Sequence, residues 1–254
     1  MTDKPTMKTL FLVGDSTVSD YALEPDRYYP RWGYGMAIGE YLLEGVRVNN
    51  LALPGRSSLS FLGEDNYKVL LDNLKKGDIL LIGFGHNDQK LDERFTTPTA
   101  DFTNKTSIGY TLKNFYIDLA KSRGAKVVLC TPISRRSLDN DYTKTCGHVT
   151  DVGDYRNAIF ETGLKTGVDL IDMTLLTTAL YLKWGLEKTK LLHATNDLDI
   201  NNTDNTHLNS YGARVIAYTL IESVLKCEDS AFYKLVDKDK FKPPVFEQTI
   251  ITNA

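Results

Sequence analysis

The sequence is poor in the features that mark secreted scaffolds, membrane proteins and nucleic-acid-binding proteins. Its three cysteines, Cys130, Cys146 and Cys227, are too few and too scattered for a disulfide framework, and we expect free thiols in a reducing compartment. No apolar run approaches the ~20 residues of a membrane span. The net charge of −3 offers no basic excess for a nucleic acid. Membrane and nucleic-acid partners are therefore not expected.

Residues 1–15 do not have the layout expected of a secretion signal. The apolar stretch within residues 1–15 is about five residues long, below the ~7–15 of a signal-peptide core. We therefore expect a cytoplasmic protein, or a secreted one if a leader has been removed. The 254 residues are 42% hydrophobic and 25% charged, which is ordinary for a globular chain. With no linker, we expect one domain over 1–254, with a mostly extended tail from about 228 packed on it.

Five short apolar runs, rich in β-branched residues, predict strands that are covered on both faces. They are 8–13, 47–53, 78–84, 126–131 and 168–172. Segments with helical spacing alternate with these runs. They are 32–45, 66–76, 107–123, 154–166 and 208–226. The alternation predicts the α/β class, with a five-stranded parallel sheet between layers of helices.

Ligands of such sheets bind beyond the carboxyl ends of the strands, so the segments after the strands are the candidate site. The first four are "GDS" (14–16), "PGRSS" (54–58), "GHND" (85–88) and "PISRRS" (132–137). Three long irregular stretches are expected at the same rim, at about 88–106, 134–151 and 186–206. We expect these pieces to converge at one edge of the sheet.

Ser16 is either a nucleophile held out at the end of a strand or a simple cap of the next segment, for which Asp15 is an equally good candidate. A nucleophilic serine needs a base and an orienting group. Among four histidines, His207 has an aspartate, Asp204, three residues before it and an amphipathic pattern after it. In a tight turn this spacing brings the carboxylate to one ring nitrogen and leaves the other free for the serine.

An ester hydrolase also needs donors for the oxyanion, each worth ~2.7–4 kcal/mol. Three candidates lie at strand ends: the backbone N–H of Ser16, the backbone N–H of Gly55 and the side-chain amide of Asn87. Gly55 has no side chain to block an approaching ester. The alternative is that Gly55 and Asn87 are turn residues only.

Taken in order, Gly-Asp-Ser, the glycine of "PGRSS", the asparagine of "GHND" and Asp-x-x-His resemble the SGNH (GDSL) hydrolases. "GDST", "PGRSS", "FGHND" and "RWGYG" most resemble the rhamnogalacturonan acetylesterases within that superfamily. The resemblance implies a three-layer α/β/α sandwich of the flavodoxin-like type, a catalytic triad of Ser16, His207 and Asp204, an oxyanion hole of Ser16, Gly55 and Asn87, and no metal or cofactor.

The resemblance further implies a serine esterase that removes O-acetyl groups from plant cell-wall carbohydrate, with acetylated pectic oligo- or polysaccharide as its partner. We expect a monomer or small homo-oligomer. The alternatives are another SGNH esterase (a xylan-type deacetylase, lipase or thioesterase) or a binding protein without catalysis. A metal site of His86, Asp88, Asp204 and His207 is a further alternative, although no ligand pair at metal spacing is present.

Several further side chains are candidates for substrate contact. Trp32 is either sugar-stacking surface or core. Arg56, Arg135 and Arg136 suit uronate carboxylates, although solvated arginine is the default. We expect His86 to position its loop and Asp88 to accept hydrogen bonds there. We expect His148 and His193 to be solvated, with substrate contact as the alternative. These four residues, His86, Asp88, His148 and His193, complete the candidate residues of the site.

Overall fold

The computed structural model describes residues 8–247. Its strands are β1 (Thr9–Gly14), β2 (Arg47–Asn50), β3 (Ile79–Gly83), β4 (Lys126–Cys130), β5 (Val149–Thr150), β6 (Gly153–Asp154), β7 (Asp169–Ile171), β8 (His193–Thr195) and β9 (Thr203–Leu208). Five of them form one sheet in the order β2-β1-β3-β4-β7, and every neighbouring pair is parallel. The predicted fold class is thereby confirmed.

The helices are α1 (Gly35–Ile38), α2 (Asp65–Asn73), α3 (Ile108–Leu112), α4 (Asp118–Ser122), α5 (Tyr155–Thr166), α6 (Met173–Lys188) and α7 (Ser210–Val224). A π-helical turn, Lys113–Ile117, joins α3 to α4 without a break. The helices cover both faces of the sheet. One core cluster lies against α1, α6 and α7, and the other lies against α2 to α5.

One helix prediction is wrong, and one helix was not predicted. The pattern over 32–45 forms only α1 and a 3₁₀ turn, because its glycines pack directly on the backbone of the preceding loop. A β-carbon on Gly33 would lie 2.3 Å from the carbonyl oxygen of Ser19. The helix α6 was not predicted because threonines weaken its helical propensity. Asp172 caps it by accepting a hydrogen bond from the Leu175 amide at 3.1 Å.

Two of the stretches that were predicted to be irregular contain short β-strands. The stretch 134–151 ends in β5, which pairs with β6, and the stretch 186–206 contains β8 and the start of β9, paired as an antiparallel ribbon. Beyond α7 the chain crosses back over the body, where Leu235 accepts a hydrogen bond from the Leu43 amide at 2.9 Å. The three cysteines are free, as predicted. No helix in the described part of the chain has the length and apolarity to cross a membrane.

Candidate active site

The end of β1 holds Ser16 in a tightly packed turn. A β-carbon on Gly14 would lie 2.6 Å from the carbonyl oxygen of Gly83 on β3, so only glycine fits where the two strands finish. The Asp15 side chain accepts hydrogen bonds from the Thr17 amide (3.0 Å) and hydroxyl (2.8 Å). Asp15 is therefore the residue that caps the turn, and the Ser16 hydroxyl is left for another partner.

That partner is His207. The Oγ atom of Ser16 lies 3.1 Å from Nε2 of His207, across 191 residues of sequence. On the other side of the ring, Nδ1 lies 2.7 Å from Oδ2 of Asp204. Ser16 itself is buried, with 7% of its surface exposed. The arrangement is a serine, an imidazole and a carboxylate in one hydrogen-bonded line.

The Asp204–His207 segment is a tight turn within β9. The Oδ1 atom of Asp204 accepts hydrogen bonds from the amides of Thr206 (2.8 Å) and His207 (2.9 Å), which brings the chain back onto its own carboxylate. Burial alone would raise the pKa of Asp204. The hydrogen bonds from the His207 ring and the two amides outweigh burial and hold that pKa well below its usual range. Asp204 is therefore a carboxylate at neutral pH.

Sequence reasoning missed the groups that support this line. The Arg27 Nη1 atom lies 3.9 Å from Oδ2 of Asp204 and also donates to the carbonyl of Thr195. The Tyr21 hydroxyl donates to the Ser16 carbonyl at 3.0 Å, so it holds the backbone of that residue. No motif or spacing links these residues to the site, because Arg27 is 177 positions from Asp204 in the chain.

The predicted oxyanion donors lie on the loops after β2 and β3. Nδ2 of Asn87 donates to the carbonyl of Arg56 at 3.1 Å, next to Gly55. One amide hydrogen of Asn87 thus fixes the side chain, and the second is left over for another acceptor. Gly55 has a left-handed φ of +76° and no atom within 4 Å of where a β-carbon would be. Its turn requires glycine, and the space beside it is open.

Asp88 is the predicted acceptor within its loop. Its carboxylate is buried and accepts hydrogen bonds from the amide and hydroxyl of Ser58 and from the hydroxyl of Thr96. Burial raises the pKa of Asp88 to about 6 against the opposing effect of these hydrogen bonds. The carboxylate ties the loop that carries Asn87 to the loop that carries Gly55.

This raised pKa predicts a pH-dependent stability difference for Asp88→Asn. In the unfolded chain Asp88 ionises near its ordinary pKa of 3.8, whereas in the folded chain it ionises near 6. Ionisation in the folded state therefore costs about 3 kcal/mol, a cost absent below pH 4 and complete above pH 6. The unfolding free energy of Asp88→Asn minus that of the wild type should rise between pH 4 and pH 8. Urea denaturation at both pH values measures it, and a pH-independent difference would contradict it.

The prediction that His148 and His193 are solvated is wrong, because both are buried. His193 bonds the His207 carbonyl through Nδ1 (3.1 Å) and the Tyr181 hydroxyl through Nε2 (3.2 Å), and burial lowers its pKa to about 4. His193 therefore supports the backbone of His207. The reason for the error is that the stretch around His193 forms β8, whose pairing with β9 is a long-range contact.

His86 and His148 form a buried pair behind the Asn87 loop. Both rings donate from Nε2 to the carbonyl of Ile133, at 3.0 Å and 2.7 Å. Burial lowers the pKa of His86 well below its usual range and that of His148 to about 3. The Nδ1 atom of His86 has no partner among residues 8–247. Both rings are neutral, and His86 holds its loop in place as expected.

The candidates for substrate contact lie in different surroundings. Trp32 is half-buried, its amide donates to Leu208 at 2.8 Å, and the Arg214 guanidinium lies 5.4 Å from its ring centroid. Arg56 is paired with Glu64 and keeps 40% of its side chain exposed. Arg135 and Arg136 form internal hydrogen bonds instead of lying free at the rim. Substrate contact by Trp32, Arg56 and Arg135 stays a prediction.

The residues of the alternative metal site are not gathered together. Within residues 8–247, no group of three or more histidine, cysteine, aspartate or glutamate side chains is placed to hold a metal ion. Of the four residues considered, His207 and Asp204 bond each other, whereas Asp88 bonds Ser58. The site that the fold assembles is thus the serine–imidazole–carboxylate line.

Comparison with known proteins identifies the family. A family model described as the GDSL-like lipase/acylhydrolase family matches residues 12–215, from β1 into α7. The chain belongs to this family. The matched GDSL segment includes Ser16, Gly55, Asn87, Asp204 and His207.

Two similar relatives of this GDSL-family chain come from Bacillus subtilis strain 168. The rhamnogalacturonan acetylesterase RhgT is 33% identical over 85% of this chain and 88% of its own. The probable rhamnogalacturonan acetylesterase YesY is 31% identical over 85% of this chain and 91% of its own. The solved structure of B. subtilis YxiM superposes with a TM-score of 0.70 at 23% identity, covering 89% of this chain and 58% of that one. This last likeness shows the shared fold.

Proposed function

We propose that the protein is a serine esterase that removes O-acetyl groups from carbohydrate, with acetylated rhamnogalacturonan or its fragments as substrate. The observation that carries this proposal is the line of Ser16, His207 and Asp204, with separations of 3.1 Å and 2.7 Å. The acetyl group and the pectic sugar are supported by the names of the two relatives, both described as rhamnogalacturonan acetylesterases.

The proposed reaction begins with attack of Ser16 Oγ on the acetyl carbonyl carbon. His207 Nε2 accepts the serine proton, and the carboxylate of Asp204 stabilises the imidazolium that forms. Collapse of the tetrahedral intermediate expels the sugar hydroxyl, which takes the proton back from His207. Water, deprotonated by the same imidazole, then attacks the acetyl-enzyme. Collapse of this second intermediate breaks the bond to Ser16 Oγ, which takes the proton from His207, and acetate is released.

The oxyanion of each tetrahedral intermediate is assigned to the N–H groups of Ser16 and Gly55 and to the amide of Asn87. The fixed amide of Asn87 supports this assignment, since the bond to the Arg56 carbonyl orients it before substrate binds. A donor that needs no reorientation during the reaction is the kind that stabilises charge most. The open space beside Gly55 admits an ester carbonyl.

The substrate is tested by comparing acetate release from acetylated pectic fragments with release from acetylated xylan. We expect faster release from the pectic fragments. The preference for acyl length is tested by measuring hydrolysis rates for a series of 4-nitrophenyl esters of increasing acyl length. We expect the acetate ester to be the best substrate. A preference for xylan would favour a xylan-type deacetylase, and a preference for long acyl chains would favour a lipase or thioesterase.

Replacement of Asn87 by alanine is expected to lower kcat on 4-nitrophenyl acetate by about 10²–10³-fold, the cost of one oxyanion donor. KM should change little, because the donor acts on charge that develops in the transition state. Steady-state kinetics measure both parameters. Asn73→Ala is the matched control, because Asn73 is exposed at the end of α2. A kcat for Asn87→Ala equal to that of the control would remove Asn87 from the oxyanion hole.

A further inference from the structure

Two adjacent arginines follow β4, and each contacts a different side of the candidate site. Arg135 donates to the carbonyl of His86 (3.2 Å), the residue before Asn87, and to the side chain of Gln89 (3.4 Å). It also donates to the carbonyl of Thr145 at 3.1 Å. One guanidinium thus joins the Asn87 loop to the segment before β5.

Arg136 contacts the turn between Asp204 and His207. Its amide donates to the carbonyl of Asn205 at 2.8 Å, and its Nη1 donates to the Asn205 side chain at 2.7 Å. The remaining donors reach the carbonyl of Leu186 (2.7 Å) and the hydroxyl of Thr189 (3.2 Å). Arg136 is 5% exposed, so these protein groups take the place of water around its charge.

Only arginine suits both positions. A guanidinium is planar and presents five donors in a fixed fork, whereas an ammonium is a compact charge on a flexible stem. Arg135 and Arg136 each use that fork to bridge separate segments, and lysine cannot reach all the acceptors at once. Arg136 is buried and Arg135 is half-buried. Burial of such a charge is unfavourable unless its donors are satisfied, so the contacts offset the cost of removing these guanidinium groups from water.

We infer that Arg135 and Arg136 are positioning residues of the esterase. Arg135 holds the loop that aims the Asn87 amide at the oxyanion, and Arg136 holds the turn that aims His207 at Ser16. The inference rests on the proposed function, because it assigns these arginines to the two halves of that reaction. The inference gives Arg135 and Arg136 a role different from the contact with uronate carboxylates that the sequence suggests for them.

The first test compares Arg135→Lys and Arg136→Lys with the wild type on 4-nitrophenyl acetate. Each variant is expected to lower kcat about 10- to 100-fold with little change in KM, because small misplacements of reacting groups are costly. Arg156→Lys is the matched control, since the Arg156 guanidinium pairs with the carboxylate of Asp172, the residue that caps α6. The control should keep the wild-type kcat. Two arginine variants with wild-type kcat and only a lower Tm would overturn the inference.

The second test separates the two arginines by their coupling to Asn87. In an Asn87→Ala background, Arg135→Lys should lower kcat by less than about twofold, because the group that it positions is already gone. Arg136→Lys should keep its full effect in the same background, because it acts on His207. If Arg135→Lys lowers kcat in the Asn87→Ala background by as large a factor as in the wild type, the assignment of Arg135 to the Asn87 loop is contradicted.

The third test uses Asn205→Ala, which removes the side-chain acceptor of Arg136 and leaves the buried charge in place. It should lower kcat in the same direction as Arg136→Lys, and it should slow covalent labelling of Ser16 by a fluorophosphonate. A folded Asn205→Ala protein labelled at the wild-type rate would count against Arg136. A wild-type protein that neither releases acetate nor takes the label would instead refute the proposed function, and the inference with it.

Discussion

Replacement of Ser16 by alanine is expected to abolish hydrolysis of acetate esters, with a fall in kcat of at least about 10⁴-fold. Ser16 Oγ is the atom that would form the acetyl-enzyme, and no neighbouring hydroxyl has a contact with His207 in the described structure. Asp15 caps the turn through Thr17, so removal of the serine hydroxyl leaves the local backbone supported. We therefore expect the Tm to change little.

The Ser16→Ala experiment measures kcat on 4-nitrophenyl acetate and acetate release from acetylated pectic fragments. Ser122→Ala is the matched control, because Ser122 is exposed at the end of α4 and its hydroxyl donates to the carbonyl of Leu119 at 2.7 Å. The control should keep full activity. Undiminished turnover by a folded Ser16→Ala protein would contradict the assignment of Ser16 as the nucleophile. If a chelator then abolished that turnover, the result would favour a metal-dependent hydrolase.

Replacement of Asp204 by asparagine is expected to lower kcat by about 10⁴-fold at neutral pH. The carboxylate accepts a hydrogen bond from His207 Nδ1 at 2.7 Å, and its charge stabilises the imidazolium formed during attack. An asparagine amide carries no charge, and its NH₂ group favours the wrong ring tautomer. The turn itself should survive, because asparagine can also accept the backbone hydrogen bonds of Thr206 and His207.

Asp204→Asn also predicts a change in stability with a definite pH dependence. The pKa of Asp204 is lowered in the folded state, so the carboxylate stabilises the fold above its unfolded pKa of 3.8. This contribution is present at neutral pH and declines as the pH falls below about 4. The deficit in unfolding free energy of the variant should therefore shrink in acid. A kcat within tenfold of the wild type, or a deficit that grows in acid, would contradict the role given to Asp204.

The strands of the central sheet were predictable because burial on both faces leaves a continuous apolar run that can be recognised without knowing its neighbours. β1, β3 and β4 each begin or end within a residue or two of the predicted limits. The helices were less predictable, since close packing of glycines against the Ser19 backbone shortens the predicted helix over 32–45. The local sequence pattern reports helical propensity, and in residues 32–45 tertiary contacts override that propensity.

The candidate site also has features that could be predicted from the sequence and features that could not. The contacts of Ser16, His207 and Asp204 were predictable because these residues stand at the end of a strand and in a short motif with its own chemistry. The oxyanion role of Gly55 and Asn87 stays a prediction. The burial of His148 and His193 was not predictable, because it follows from contacts with Ile133 and Tyr181 that no local pattern records. The sequence also suggested Arg135 as a rim group, whereas its partners lie up to 49 positions away in the chain.

By itself the sequence determined the five strands of the central sheet in chain order and the chemistry available at each strand end, because these depend on residues that are close together in the chain. Only the tertiary structure decided which of those groups meet, how far apart they lie and which charges are buried. The physical reason is that hydrogen bonds and desolvation act between atoms in space, and the separation of 3.1 Å between Ser16 and His207 is set by the packing of the whole sheet and its helices.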